Sequence, residues 1–181
     1  MVAKQVADLI TFCRSLLVVV FPWLALTQGE RSLPGAAVLL AADWTGDSVD
    51  GTLARRSRVQ YRTWIGDHDL EIDIAVSLGL LLYLLVSSYL KPLVGILYLL
   101  TWLLFFLRNG IPRSLGMLFQ APIYAWFIYV ALVNYPTAGL GLAGWIVAAL
   151  IVTWPKFLQE VVPGFLGGMS QFLSQDKIPD E

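Results

Sequence analysis

Between Arg113 and Lys156 the chain runs through 42 consecutive residues without one charged side chain. As helix, such a run measures about 60 Å at about 1.5 Å per residue, twice the roughly 30 Å of a bilayer's hydrocarbon core. It therefore predicts two membrane spans, separated by a break at Asn134-Tyr135-Pro136-Thr137-Ala138-Gly139, where proline and glycine supply a turn. The rest of the chain agrees, since only 14% of residues are charged and 57% are hydrophobic, against roughly 25% charged in a soluble domain. At 181 residues, the expectation is one all-α polytopic bundle covering 1–181. Its six transmembrane helices are expected near 8–27, 34–57, 67–89, 92–107, 114–133 and 139–156.

Lys4 followed by the apolar stretch Leu16 to Leu26 has the outline of a signal peptide. Arg14 interrupts it and five more spans follow, so the segment is expected to remain as the first helix. Orientation follows from the excess of lysine and arginine in short cytoplasmic loops. With both termini inside, Lys4, Arg55, Arg56, Arg58, Arg62, Arg108, Arg113, Lys156 and Lys177 are cytoplasmic, and only Arg31 and Lys91 are external. In the tail at 157–181, Phe157, Leu158, Val161, Phe165 and Phe172 are mixed with Gly164, Gly167 and Gly168, the composition of a segment lying along the interface. Trp23, Trp102, Trp126, Trp145 and Trp154 are expected in the core and the interfacial belts.

A single cysteine, Cys13, rules out an internal disulfide, and with His68 the only histidine there is no soft zinc site. Any metal must be held by oxygen. A net charge of −1 gives no reason to expect nucleic acid as a partner.

Seven of the thirteen acids lie between 43 and 73: Asp43, Asp47, Asp50, Asp67, Asp69, Glu71 and Asp73. Asp47 and Asp50 are three apart, and Asp69 and Asp73 four apart, so each pair occupies one face of its helix. The second helix runs inward and the third outward, which lets the two pairs meet at one depth. Carboxylates gathered near lipid repel one another unless paired or bound to a cation, and hard oxygen donors suit Mg²⁺, Mn²⁺ or Ca²⁺. The competing interpretation is a solvated interfacial patch neutralised by Arg55, Arg56, Arg58 and Arg62. Asp43, one turn before Asp47, either reaches the same site or pairs with Arg62 or Arg14.

The local pattern favours a site. Asp47-Ser48-Val49-Asp50-Gly51-Thr52-Leu53-Ala54-Arg55 reads DxxDGxxAR, and Gly66, Asp69 and Asp73 follow as a glycine and DxxxD. Together these resemble the signature of the CDP-alcohol phosphotransferase family. Asp8, Thr11 and Arg14 resemble that family's opening Asn-x-x-Thr-x-x-Arg, with aspartate in place of asparagine. The sequence departs from the family in a longer stretch between Arg55 and Gly66, and in Gly66 standing three residues before Asp69, one fewer than the pattern.

The resemblance implies transfer of a substituted phosphate, most simply phosphatidyl, from a CDP-linked lipid donor to a small alcohol acceptor, with release of CMP. Asp47, Asp50, Asp69 and Asp73 would hold Mg²⁺ or Mn²⁺ against the donor diphosphate, and Asp73 would also take the acceptor's proton. Gly51, Ala54, Arg55 and Gly66 would line the CDP-alcohol, Arg108 and Arg113 the acceptor. A homodimer is a family trait that no pattern here establishes. For Gly51 and Ala54 the plainer alternative is close helix packing, and for Arg108 and Arg113 it is anchoring on the positive side. Two other functions fit parts of the pattern. An intramembrane prenyltransferase also pairs aspartates around Mg²⁺, but DGxxAR is not its signature. A divalent-cation carrier or inactive relative needs only the acids, yet a carrier would want a second polar cluster toward the outer face, and residues 92–156 contain no acid.

Overall fold

The computed structural model describes residues 2–56, 68–155 and 157–175, with side chains except at 2–4, 50–56, 157 and 171–175. Among the described residues the chain is 91% helix, without a strand. The elements are α1 (Val2–Ser15), α2 (Leu17–Gln28), a 3₁₀ turn at Gly29–Ser32, α3 (Leu33–Arg56), α4 (Asp69–Val86), α5 (Pro92–Asn109), α6 (Arg113–Asn134), α7 (Pro136–Thr153), a π turn at Phe157–Val161 and α8 (Val162–Gln175). Gly29 caps α2 at φ 57°, a left-handed conformation that glycine adopts without steric cost.

Among the described residues, four stretches are long and apolar enough to cross a membrane: Gln5–Val49, Pro92–Asn109, Arg113–Asn134 and Pro136–Thr153. The difference from the expected six has two physical sources. The first stretch is 45 residues long and doubles back at Gly29–Ser32, so that α1 packs along α3. In α4, Asp69, Glu71 and Asp73 crowd the first five residues, and three acids spoil an otherwise apolar helix.

Several boundaries also move. The expected first helix begins earlier and divides at Leu16 into α1 and α2. The turn expected across 134–139 shrinks to Tyr135, because Pro136 becomes the first residue of α7. A proline needs no N–H at that position and its fixed φ suits a helix start. At the same end of the bundle, α4 stops at Val86, three residues short of expectation, and Ser88 turns the chain at φ 60°.

The core is one cluster in which Phe21, Leu33, Leu40, Val76, Leu80, Tyr83, Leu84 and Phe127 are fully enclosed. It binds α2 to α4, α4 to α6 and α6 to α7. Pro22 cannot donate to the Val18 carbonyl one turn below, and Gly79 of α4 approaches at that point. A Cβ on Gly79 would lie 2.8 Å from both Val18 Cα and Val18 O. Outside this core the helices present Leu9, Phe12, Val19, Leu26, Leu104, Leu107, Ile151 and Val152 outward. An apolar exterior around a polar interior site is the inverse of a soluble protein. Within the tail, α8 lies against α6, where Gly168 meets Ser114.

Candidate functional site

Helix α1 carries Ala7, Thr11 and Arg14 at helical spacing, and all three are buried. The Thr11 hydroxyl donates to the Ala7 carbonyl at 3.2 Å, so its polar atom is satisfied within its own helix. The buried stripe faces α3, and the other side of α1 is apolar and exposed at Leu9 and Phe12. An arginine only 5% exposed requires partners, because leaving a buried charge unpaired costs about 3–5 kcal/mol.

Its partners are the aspartates. Arg14 Nε donates to Asp43 Oδ1 at 2.9 Å, Nη1 to Asp47 Oδ1 at 3.2 Å and Nη2 to Asp73 Oδ1 at 2.5 Å. Asp69 Oδ1 lies 3.7 Å from Nη1. One planar guanidinium thus spans three helices, a geometry that lysine, a single point charge, cannot reproduce. Gly46 leaves space for this side chain. A Cβ there would stand 3.1 Å from Arg14 Cδ and 3.3 Å from Ile10 Cγ2.

Exposure grades across the cluster. The Asp43 side chain is 2% exposed, Asp73 24%, Asp69 46% and Asp47 49%. The site therefore has a closed floor at Asp43 and an open mouth at Asp47 and Asp69. Trp44, Tyr124 and Trp145 form an aromatic wall beside the floor, with ring centroids 5.5 Å and 5.3 Å apart, and the Trp145 indole donates to Thr45 Oγ1 at 3.0 Å.

The donor set fits a hard cation. One oxygen from each of Asp47, Asp69 and Asp73 lies within 4.8 Å of the others, while neighbouring oxygens around an octahedral Mg²⁺ at about 2.1 Å stand about 3.0 Å apart, so the carboxylates would have to draw together around an ion. All three candidate donors are carboxylates, the ligand type that suits Mg²⁺, Mn²⁺ or Ca²⁺.

Of the residues expected at the site, the structure brings together Asp47, Asp69 and Asp73. Asp50 follows Asp47 by three residues on α3, and Gly51, Ala54 and Arg55 continue the same helix, but the side chains at 50–56 lie outside those described. Gly66, Asp67, Arg58 and Arg62 fall outside the described residues altogether. Asp43, with two candidate arginine partners, pairs with Arg14. Arg108 and Arg113 are exposed at the end of α5 and the start of α6. A Cβ on Gly116 would meet Leu70 Cδ1 at 3.0 Å, so the first turn of α6 sits beside the first turn of α4 and its Asp69. Glu71 points to solvent and His68 precedes α4.

Sequence reasoning missed the central position of Arg14. The signal was present, since an arginine interrupting an apolar span is expensive and implies an acidic partner within the bundle.

Fold and site together define a helical membrane protein with a carboxylate cluster gathered around one buried arginine. No family model, curated protein or solved structure matches the chain.

Proposed function

We propose that this protein is an integral membrane CDP-alcohol phosphotransferase, acting on a CDP-linked lipid such as CDP-diacylglycerol in phospholipid synthesis. The observation that carries this reading is the convergence of Asp47, from the DxxDGxxAR segment, with Asp69 and Asp73, from the DxxxD segment, to within 4.8 Å. The two motif halves are separated in sequence and meet around Arg14, which leaves their oxygens grouped where a cation could share them.

In this reading Asp47, Asp50, Asp69 and Asp73 hold Mg²⁺ or Mn²⁺. An ion held there would offset charge on the donor diphosphate and on departing CMP. Asp73, less exposed than Asp47 and Asp69, accepts the proton of the acceptor hydroxyl while that oxygen bonds to phosphorus and the phosphorus–oxygen bond to CMP breaks. The small residues Gly51, Ala54 and Gly66 admit the nucleotide, Arg55 faces phosphate, and Arg108 and Arg113 draw an anionic acceptor to the mouth. The donor's acyl chains remain in the bilayer.

The same reading has six crossings, with α1 and α2 forming one and α3 to α7 the others, and puts both termini and the site on the cytoplasmic side. It includes a homodimer as a family trait.

The test is CMP release by purified protein given CDP-diacylglycerol and a panel of glycerol phosphate, inositol phosphate, serine and related alcohols. Release should require one acceptor and Mg²⁺ or Mn²⁺, stop with chelator, and resume on adding the divalent ion but not a monovalent salt. Full turnover in excess chelator would refute the metal assignment, and silence with every acceptor would count against the activity.

A further inference from the structure

The geometry points to a role for Arg14 as a built-in counter-cation that competes with the divalent ion for Asp47, Asp69 and Asp73 while staying tied to Asp43, an inference that rests on the metal reading above. The guanidinium has two unlike ends. Its Nε side is joined to Asp43 at 2.9 Å with both side chains nearly closed to solvent, at 6% and 2% exposure. Its Nη side reaches Asp47 at 3.2 Å and Asp69 at 3.7 Å, where the acids are 49% and 46% exposed. One end is therefore anchored out of water, and the other extends into the open mouth.

The acids reached by the two Nη atoms, Asp47, Asp69 and Asp73, are the three whose oxygens could surround a metal. Among the described residues, the four carboxylates Asp43, Asp47, Asp69 and Asp73 against one guanidinium leave three formal negative charges. Arg14 thus lowers the repulsion that would otherwise spread the cluster, without neutralising it. A divalent ion entering the same carboxylates meets a positive charge already in contact with them, and like charges at short range repel. Arg14 would then set how tightly the ion binds. A plain strut, the alternative role, would only hold the carboxylates in place for it.

The two roles predict opposite signs. Arg14→Gln/Asp43→Asn removes the buried pair together and leaves the net charge of the protein unchanged, so a general electrostatic effect on cation binding is cancelled. The measurement is Mn²⁺ affinity of purified protein, read from the loss of the free-ion paramagnetic resonance signal, with monodisperse elution as the check of folding. The double variant should bind Mn²⁺ about tenfold more tightly than the natural protein. Asp43→Asn alone, which unties Arg14 from its anchor, should bind more weakly.

Equal or weaker binding by the double variant, with binding by the natural protein intact, overturns the competition and makes Arg14 a strut. Binding by neither protein overturns the metal reading and this inference with it. Binding by the double variant alone supports competition. Should the double variant fail to fold, Arg14→Lys decides. Its single point charge at Asp43 releases the mouth carboxylates, so Mn²⁺ should bind more tightly than in the natural protein, and weaker binding would overturn the proposal.

Discussion

Asp47 and Asp73 both bond to Arg14, yet they stand in different surroundings, with side chains 49% and 24% exposed. Their asparagine variants should therefore fail differently. Asp73→Asn keeps its shape and one carbonyl oxygen for Arg14 and metal, so the donor should still bind while transfer slows by roughly 10²–10⁴-fold for want of a base. Asp47→Asn should weaken metal binding instead, and raised Mg²⁺ should partly restore it. Turnover against metal concentration separates the two, with Asp73 demoted to a ligand if saturating metal rescues its variant. At this scale the sequence was informative where spacing was decisive, because Asp69 and Asp73 must share a face and Asp47 lies in a compact motif. It could not order the candidate partners of Asp43, since that depends on which arginine lies across the helix interface. Gly46 gave no signal either, as its role is only the space that Arg14 occupies.

Helix contacts here depend on small residues at a few crossings, and Gly79 is the sharpest case. Gly79→Ala would drive a methyl to 2.8 Å from the Val18 backbone, where no rotamer change can relieve it, so α2 and α4 must separate. We expect a loss of roughly 1–3 kcal/mol, the usual cost of overpacking, measurable as a lowered thermal midpoint in detergent. Gly141→Ala is the control, because nothing lies within 4 Å of its added methyl, and it should hold or raise the midpoint. A Gly79→Ala midpoint equal to that of Gly141→Ala would mean that α2 and α4 do not meet at this depth. Helix existence was legible from apolar runs, and most helix ends fell within a few residues. The larger errors arose where local chemistry outweighed the run. Pro136 reads as a breaker in the string but starts α7, and the division at Leu16 follows no proline or glycine.

Whole-molecule topology turns on the two places where apolar length alone is ambiguous. At about 1.5 Å per residue, α3 with 24 residues and α4 with 18 measure about 36 Å and about 27 Å, each close to the roughly 30 Å of a bilayer core. Six crossings require Glu30 and Ser57 to face opposite sides, and Ser57 and Ser88 likewise. Single cysteines at these positions, in a Cys13→Ser background because the native thiol is exposed, give the readout through a membrane-impermeant maleimide. Glu30 is chosen over Arg31 because acids contribute little to orientation, whereas removing a basic residue would change the bias under test. Ser57 should label only from the cytoplasmic side, and Glu30 and Ser88 only from outside. If Glu30 and Ser57 label from the same side, α3 does not cross. Should Ser57 and Ser88 share a side, α4 instead lies in the interface. Labelling of Ser57 from outside alone would invert the protein, placing Asp47, Asp69 and Asp73 away from a cytoplasmic supply of CDP-linked donor and removing the basis of the proposed reaction.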